Sequence, residues 1–223
     1  MEPESVLFEH EGRRPEVAAD AWVAPTAVLV GDVVVGSGCR VLHQAVLTDD
    51  GGPVELDRDV TVMEHALLRG REGHPVRVGA SVLIGPHAHV NGATIEAAAF
   101  VATGVSIFPG ATVGRAAEIR INGVVHVNTR MAEGAVVPIG WVAVGDPAQV
   151  FPPDQHDAIW EVQRELDFPG TLWGLSRSAG DERTSDETQE AVARGYRELF
   201  GRHVDDRLVE SDPTNVERNS NAR

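Results

Sequence analysis

Lysine is absent from this 223-residue chain: all 19 basic residues are arginine, they face 34 acidic residues, and the formal net charge is −15. Without a lysine amine there is no Schiff base, no anchored pyridoxal phosphate and no P-loop lysine. The carboxylate surplus repels phosphate backbones, so nucleic acid is not an expected partner. Cysteine is nearly absent too, and Cys39 by itself closes no internal disulfide. No apolar run approaches the roughly 20 residues that span a bilayer. The opening Met1-Glu2-Pro3-Glu4-Ser5 has neither the basic nor the apolar region of a secretory signal, and a cytoplasmic protein without membrane contact is expected. Aromatic residues are only 5% of the chain, so the core has to come from aliphatic residues within the 42% that are hydrophobic.

What the chain does have is a repeat. An aliphatic residue recurs at every sixth position through Val17, Val23, Leu29, Val35, Val41 and Leu47. The phase slips to Leu56, Val62 and Leu68, slips again to Val78, Ile84 and Val90, and loses one residue before Ile95, Val101, Ile107, Val113, Ile119, Val125 and Met131. Four residues after most of these stands a small or compact side chain, among them Ala27, Cys39, Ala45, Ala66, Ala88 and Ala117. A period of six suits neither a helix nor a lone strand. It suits short strands joined by tight corners, one aliphatic inward per strand, in triangular coils of about 18 residues: a parallel β-helix.

The expected organisation is an N-terminal segment over 1–15, the β-helix over 16–150, a C-terminal helical segment over 151–207 and a polar, disordered tail over 208–223. In the helical segment, Ile159, Val162 and Leu166 predict a helix from Gln155 to Leu166 with Asp154 as N-cap. Thr184 and Glu187 form a capping box for a second, from about Asp186 to Phe200 with Val192, Tyr196 and Leu199 on one face. Such helices are expected to cover an open end or flank of the solenoid. Trp22, Trp160 and Trp173 are read as helix-to-coil packing, and Cys39 as core.

The stretches Val23 to Val33, Val46 to Val54, Ile84-Gly85-Pro86-His87-Ala88-His89-Val90-Asn91-Gly92 and Val142-Ala143-Val144-Gly145-Asp146-Pro147-Ala148 resemble the γ-class carbonic anhydrase family. The resemblance covers about residues 15 to 150. It implies an all-β solenoid, a left-handed parallel β-helix of hexapeptide repeats with C-terminal α-helices, and a homotrimer. It also implies a metal held between subunits by three histidines, but the matching positions are Arg69, Pro86 and Asn91. Arginine is a cation and proline has no side-chain donor, so no metal site of the family's kind, and no other cofactor, is expected. Met63 stands where the family has a Gln beside the metal, and Thr48-Asp49-Asp50 replaces its Arg-Gly-Asp run.

Hexads three apart stack at about 4.8 Å. One outward column then holds Thr48, Arg69, Asn91, Phe108 and His126; others hold His43, Glu64, Pro86 and Thr103, and Gln44, His65, His87 and Gly104. In a trimer, facing columns would collect His43, Glu64, Arg69, Asn91 and Asp50, with His126 able to cap the pocket, around a small anionic ligand bound by Arg69 with His43 or Glu64 as acid or base. The same Arg69, Glu64 and Asp50 could instead be an intersubunit ion-pair network. His126 could equally satisfy backbone groups at a corner. His65, His87 and His89 could form a relocated metal site, although outer-corner side chains are more often solvated surface. Three functions stay open: a metal-independent enzyme of this group, a coenzyme A-dependent acyltransferase using the Gly70 to Pro75 loop with Arg69, Arg71, His74 and Arg77, and a non-catalytic binding or assembly trimer.

Overall fold

The structure is a computed structural model and describes residues 6–175 and 184–209. Short strands follow the hexad and stack into three sheets of ten, six and seven strands, parallel except for the two edge strands of the first. In the first, Leu29, Leu47, Leu68, Val90, Ile107 and Val125 lie in register on successive coils. Val35, Leu56, Val78, Ile95 and Val113 do the same in the second. Val41, Val62, Ile84, Val101 and Ile119 do so in the third. These residues and the small ones at the corners, Cys39 included, are all but fully buried and make one continuous core. Val17 is an exception at 36% exposed, because its strand is the edge of its sheet and nothing stacks beyond it. The repeat also runs past Met131, through Val137 and Ala143.

The slips in the repeat build something the hexads alone do not. Around Leu47 and Leu68 the strands lengthen to five residues, Val46–Asp50 and Leu67–Arg71, and pair over all five positions. Because the slips fall on consecutive coils, the extra residues stack, Asp49 beside Gly70 and Asp50 beside Arg71. Any Cβ on Gly70 would run into the carbonyl of Gly52, so only glycine lets the two excursions approach this closely. The expected loop from Gly70 to Pro75 is in fact a tight turn, closed by backbone hydrogen bonds in both directions between Arg71 and His74.

Both edges of the ten-stranded sheet are covered by antiparallel strands, Gln149–Phe151 at the last coil and Arg207–Leu208 at the first. Two expectations shift as a result. The N-terminal segment joins the ladder from Val6, where Val6–Glu9 pairs with Val28–Val30, and Leu208, placed in the polar tail, pairs with Phe8. The rest of that tail, 210–223, lies outside the described residues.

Helix α1 (His156–Gln163) continues into a 3-10 turn, Arg164–Leu166, and so fills the span expected for the first helix. Its N-cap is Gln155, not Asp154, because a turn from Pro152 to Gln155 holds Asp154 inside it. Helix α2 (Phe168–Trp173) was not foreseen, since Pro169 and Gly170 stand in a helix of six residues; Asp167 caps it through the Gly170 N–H. Helix α3 (Ser185–Gly201) opens on the expected reciprocal box of Thr184 and Glu187. Trp173 packs edge-on against Phe168, whereas Trp22 and Trp160 are exposed and Trp22 stands edge-on to His43.

If the aliphatic stack carries the stability, Ile107→Ala, which empties a fully enclosed position, should cost about 2–5 kcal/mol. Val34→Ala, on an outward and exposed position, should cost well under about 1 kcal/mol. Denaturant unfolding at one fixed protein concentration compares the two.

Candidate functional site

The outward column beside the five-residue strands is where the chain departs most from a plain solenoid. Arg69 pairs in register with Thr48 on one side and Asn91 on the other, and Phe108 and His126 follow on the next coils. The C-terminal arm returns across this column. Phe200 of α3 lies under the Arg69 guanidinium, 4.9 Å from its carbon to the ring centroid, and Phe168 of α2 packs against Phe108 and His126 at 5.8 and 5.2 Å. Polar residues that a bare coil would leave in water are therefore buried: Thr48, Asp49, Asp50, Asn91 and His126.

Asp50 is the hub. It accepts from the Thr48 hydroxyl at 2.9 Å, bonds His203 Nε2 at 2.9 Å and lies 3.1 Å from Arg69 Nε. That last contact is an ion pair by distance, but the N–H does not point at the oxygen, so Arg69 Nε and Asp50 Oδ2 both lack an aligned hydrogen-bond partner. Asp49, which the sequence did not single out, accepts from the amides of Asp32 and Gly51 and pairs with Arg13 at 3.0 Å. Among the described residues, five buried side-chain polar atoms have no hydrogen-bond partner: Asp50 Oδ2, Arg69 Nε, Arg71 Nη1, Asn91 Oδ1 and His126 Nδ1. All five belong to this column or to the adjoining stacked pair. Arg71 donates from its other terminal nitrogen to the Leu172 carbonyl and fronts a cavity of about 410 Å³ shared with His74, Trp173, Tyr196 and Arg202.

The expected residues thus separate. Arg69, Asp50, Asn91 and His126 come together within one chain. His43 and Glu64 do not join them: they follow strands of the seven-stranded sheet, and His43 is exposed, bonded to Thr26 at 2.8 Å. Arg69 and Asp50, which one reading placed in an ion-pair network between subunits, pair within one chain. His65 and His87 stack with centroids 4.8 Å apart on the exposed corner, but His89 stands on another sheet. Burial, and then the charges of Arg69 and Arg71, push the His89 imidazole below its ordinary range. These three histidines do not converge on one point, and the neighbouring guanidiniums disfavour a cation at His89. His74, held low by burial and then by Arg71, sits in the tight turn, while Arg77 faces Glu55 on a different sheet.

A cluster the sequence reading missed lies beside Asp50. His10 Nδ1 bonds Asp206 Oδ1 at 2.6 Å, His203 Nδ1 bonds Asp206 Oδ2 at 2.8 Å, and the two rings stack at 4.2 Å. Burial opposes charge on His203, but the bonds to Asp206 and Asp50 outweigh it and hold the imidazolium above the ordinary histidine range. No local signal could have revealed this group, since His10 and Asp206 are 196 residues apart.

His126 is the opposite case. Burial, only partly offset by a backbone hydrogen bond, lowers its pKa to about 4, so the folded chain holds a neutral imidazole at pH 7. An unfolded chain takes up that proton near the ordinary histidine value, about 6.5. Stability from this group is therefore complete above pH 6.5 and falls as the pH drops from there to about 4, by about 3 kcal/mol in all. The expected result is that His126→Gln flattens this part of the acid limb of a stability-versus-pH curve relative to the unsubstituted chain. An unchanged limb would count against the burial argument.

No protein-family model matches the chain. Gamma carbonic anhydrase 1, mitochondrial, of Arabidopsis thaliana is 29% identical over 143 residues, 61% of this chain and 50% of that protein. Gamma carbonic anhydrase 2, mitochondrial, of the same plant is 25% identical over 200 residues, 87% of this chain and 69% of that protein. The carbonic anhydrase of Geobacillus kaustophilus is 24% identical over 109 residues, 49% of this chain and 60% of that one. The chain spans about half the length of the first of these relatives. Among solved structures, the UDP-N-acetylglucosamine acyltransferase LpxA of Bacteroides fragilis has a TM-score of 0.52 over 92% of each chain at 12% identity, which is a likeness of fold alone. With the three sheets described above, these likenesses show a left-handed β-helix of hexapeptide repeats that is similar to the γ-class carbonic anhydrases.

Proposed function

We propose that the chain works as a homotrimer without the metal centre of the γ-class carbonic anhydrases, and that it binds and transforms a small anionic molecule at the Arg69 column. The five buried polar atoms without an aligned hydrogen bond carry this reading, and three of them, Arg71 Nη1, Asn91 Oδ1 and His126 Nδ1, lie outside the Arg69–Asp50 ion pair. Buried polar groups are ordinarily satisfied, and a cluster of exceptions on one face calls for a partner from outside the chain. Arg69 and Arg71 offer N–H donors to a carboxylate or phosphate, and Arg71 makes no ion pair among the described residues. Asn91 and neutral His126 supply the remaining polar contacts. The residues at the three matching positions do not suit a divalent cation, since Arg69 is itself a cation, Pro86 offers no donor and Asn91 is a weak neutral one.

Trimer formation has its own support. Leu83, Phe100, Ile121, Val136 and Ile139 form an outward apolar strip on and beside the seven-stranded sheet, and a groove of about 500 Å³ lies along it. A second copy seated there would cover it and bring His43 and Glu64 toward a neighbour's Arg69, where either could exchange a proton with the bound anion. An acyltransferase reading has less to rest on, because the Gly70 to Pro75 stretch is a closed turn and not an extended loop.

Calorimetric titration with bicarbonate, acetate, inorganic phosphate and acetyl-coenzyme A tests the site. The expected outcome is saturable binding of a small anion that weakens roughly tenfold or more in Arg69→Ala and in Arg71→Ala. Binding of acetyl-coenzyme A alone would favour acyl transfer. No anion response, together with altered trimer stability in Arg69→Ala, would leave a non-catalytic assembly. Sedimentation of Ile139→Asp should show loss of the trimer.

A further inference from the structure

We infer that His10, His203 and Asp206 form a binding site for one zinc-class divalent cation that ties the C-terminal arm to the first coil. This site adjoins the Arg69 column through Asp50, but its three ligands are not part of that column. Two imidazole nitrogens and a carboxylate oxygen, one from each residue, lie within 4.8 Å of one another, and among the described residues this is the one group of three such ligands that does so. Nitrogen, nitrogen and oxygen donors suit zinc and its first-row neighbours, with a fourth position left for water.

The ligands are held in place before any ion arrives. His10 sits at the foot of a tight turn, its backbone N–H and C=O both paired with Arg13 and the two turn residues, Glu11 and Gly12, at positive φ. The ring is 1% exposed. His203 and Asp206 come from the 3-10 turn Arg202–Asp205 and the residue that ends it, and Arg202 clamps that turn to the same hairpin through two hydrogen bonds to Glu11, at 2.7 and 2.6 Å. An outer carboxylate is present as well. Asp50 bonds His203 Nε2 at 2.9 Å, the nitrogen that does not face Asp206, and such a partner orients a ligating ring and raises its basicity.

Charge points the same way. In the metal-free form, His203 lies between two carboxylates and bonds both. Guanidiniums around the cluster are engaged with other carboxylates: Arg13 with Asp49, Arg69 with Asp50 and Arg202 with Glu11. A divalent cation bound to both Nδ1 atoms and Asp206 would take the place of any protons there and neutralise the carboxylate, leaving His203 Nε2 bonded to Asp50.

The test uses the untagged full chain and cobalt(II) as the probe, with zinc as competitor. One equivalent of cobalt should give a visible absorption band that zinc removes, and zinc should raise the melting temperature. Asp206→Asn keeps the side chain's shape and one acceptor oxygen but removes the anionic ligand; it and His203→Gln should each abolish the band, and Asp50→Asn should weaken binding about 10- to 100-fold. In case these variants fold poorly, histidine ring NMR of the unsubstituted chain gives a second reading: zinc should move the His10 and His203 signals and leave those of the other histidines in place. Absence of stoichiometric binding, a band that persists in both ligand variants, or zinc shifts confined to other histidines would each overturn the inference.

Discussion

The structure depends on the inward stacking of one aliphatic side chain from each six-residue face. A coil rises by one strand spacing, so a side chain that faces in meets its equivalents directly above and below. Leu47 between Leu29 and Leu68 is enclosed by its own kind. This fixes the outward positions too. Every residue next to an inward aliphatic stands in a column with its counterparts, and Arg69, Asn91 and His126 are neighbours only because Leu68, Val90 and Val125 are.

Function enters where that regularity is interrupted. Two insertions on consecutive coils lengthen two strands and place Asp50 against Arg71, and Gly70 makes room for the approach. The C-terminal arm then crosses the same region and takes it out of water. Burial disfavours charge on two histidines there, and their partners decide the outcome. His126, without a partner for Nδ1, is pushed toward the neutral form, while His203, bonded to two carboxylates, keeps its charge. The arm also encloses the ion pair of Arg69 and Asp50, with Phe200 against the guanidinium and His203 bonded to the carboxylate.

Much of this was legible in the residues. The hexad located the core, and its slips located the strand excursions, although their length alone suggested a loop at Gly70 to Pro75 where the chain makes a tight turn. The capping box at Thr184 and Glu187 located α3, because that signal is complete within four residues. Helix α2 was not legible, since Pro169 and Gly170 argue against a helix and only packing of Phe168 and Trp173 against the coil and α3 offsets their cost.

The sequence by itself determined the coil, the identity of the inward residues and the order of the outward columns, because all three follow from a period of six read along one stretch of chain. Which columns are buried was decided by the tertiary structure. Only the folded arm brings His203 and Asp206 to His10 and Asp50, and only that meeting turns a row of surface residues into an enclosed polar site. Contacts between residues nearly 200 positions apart leave no periodic trace in a sequence, so no local pattern could have announced them.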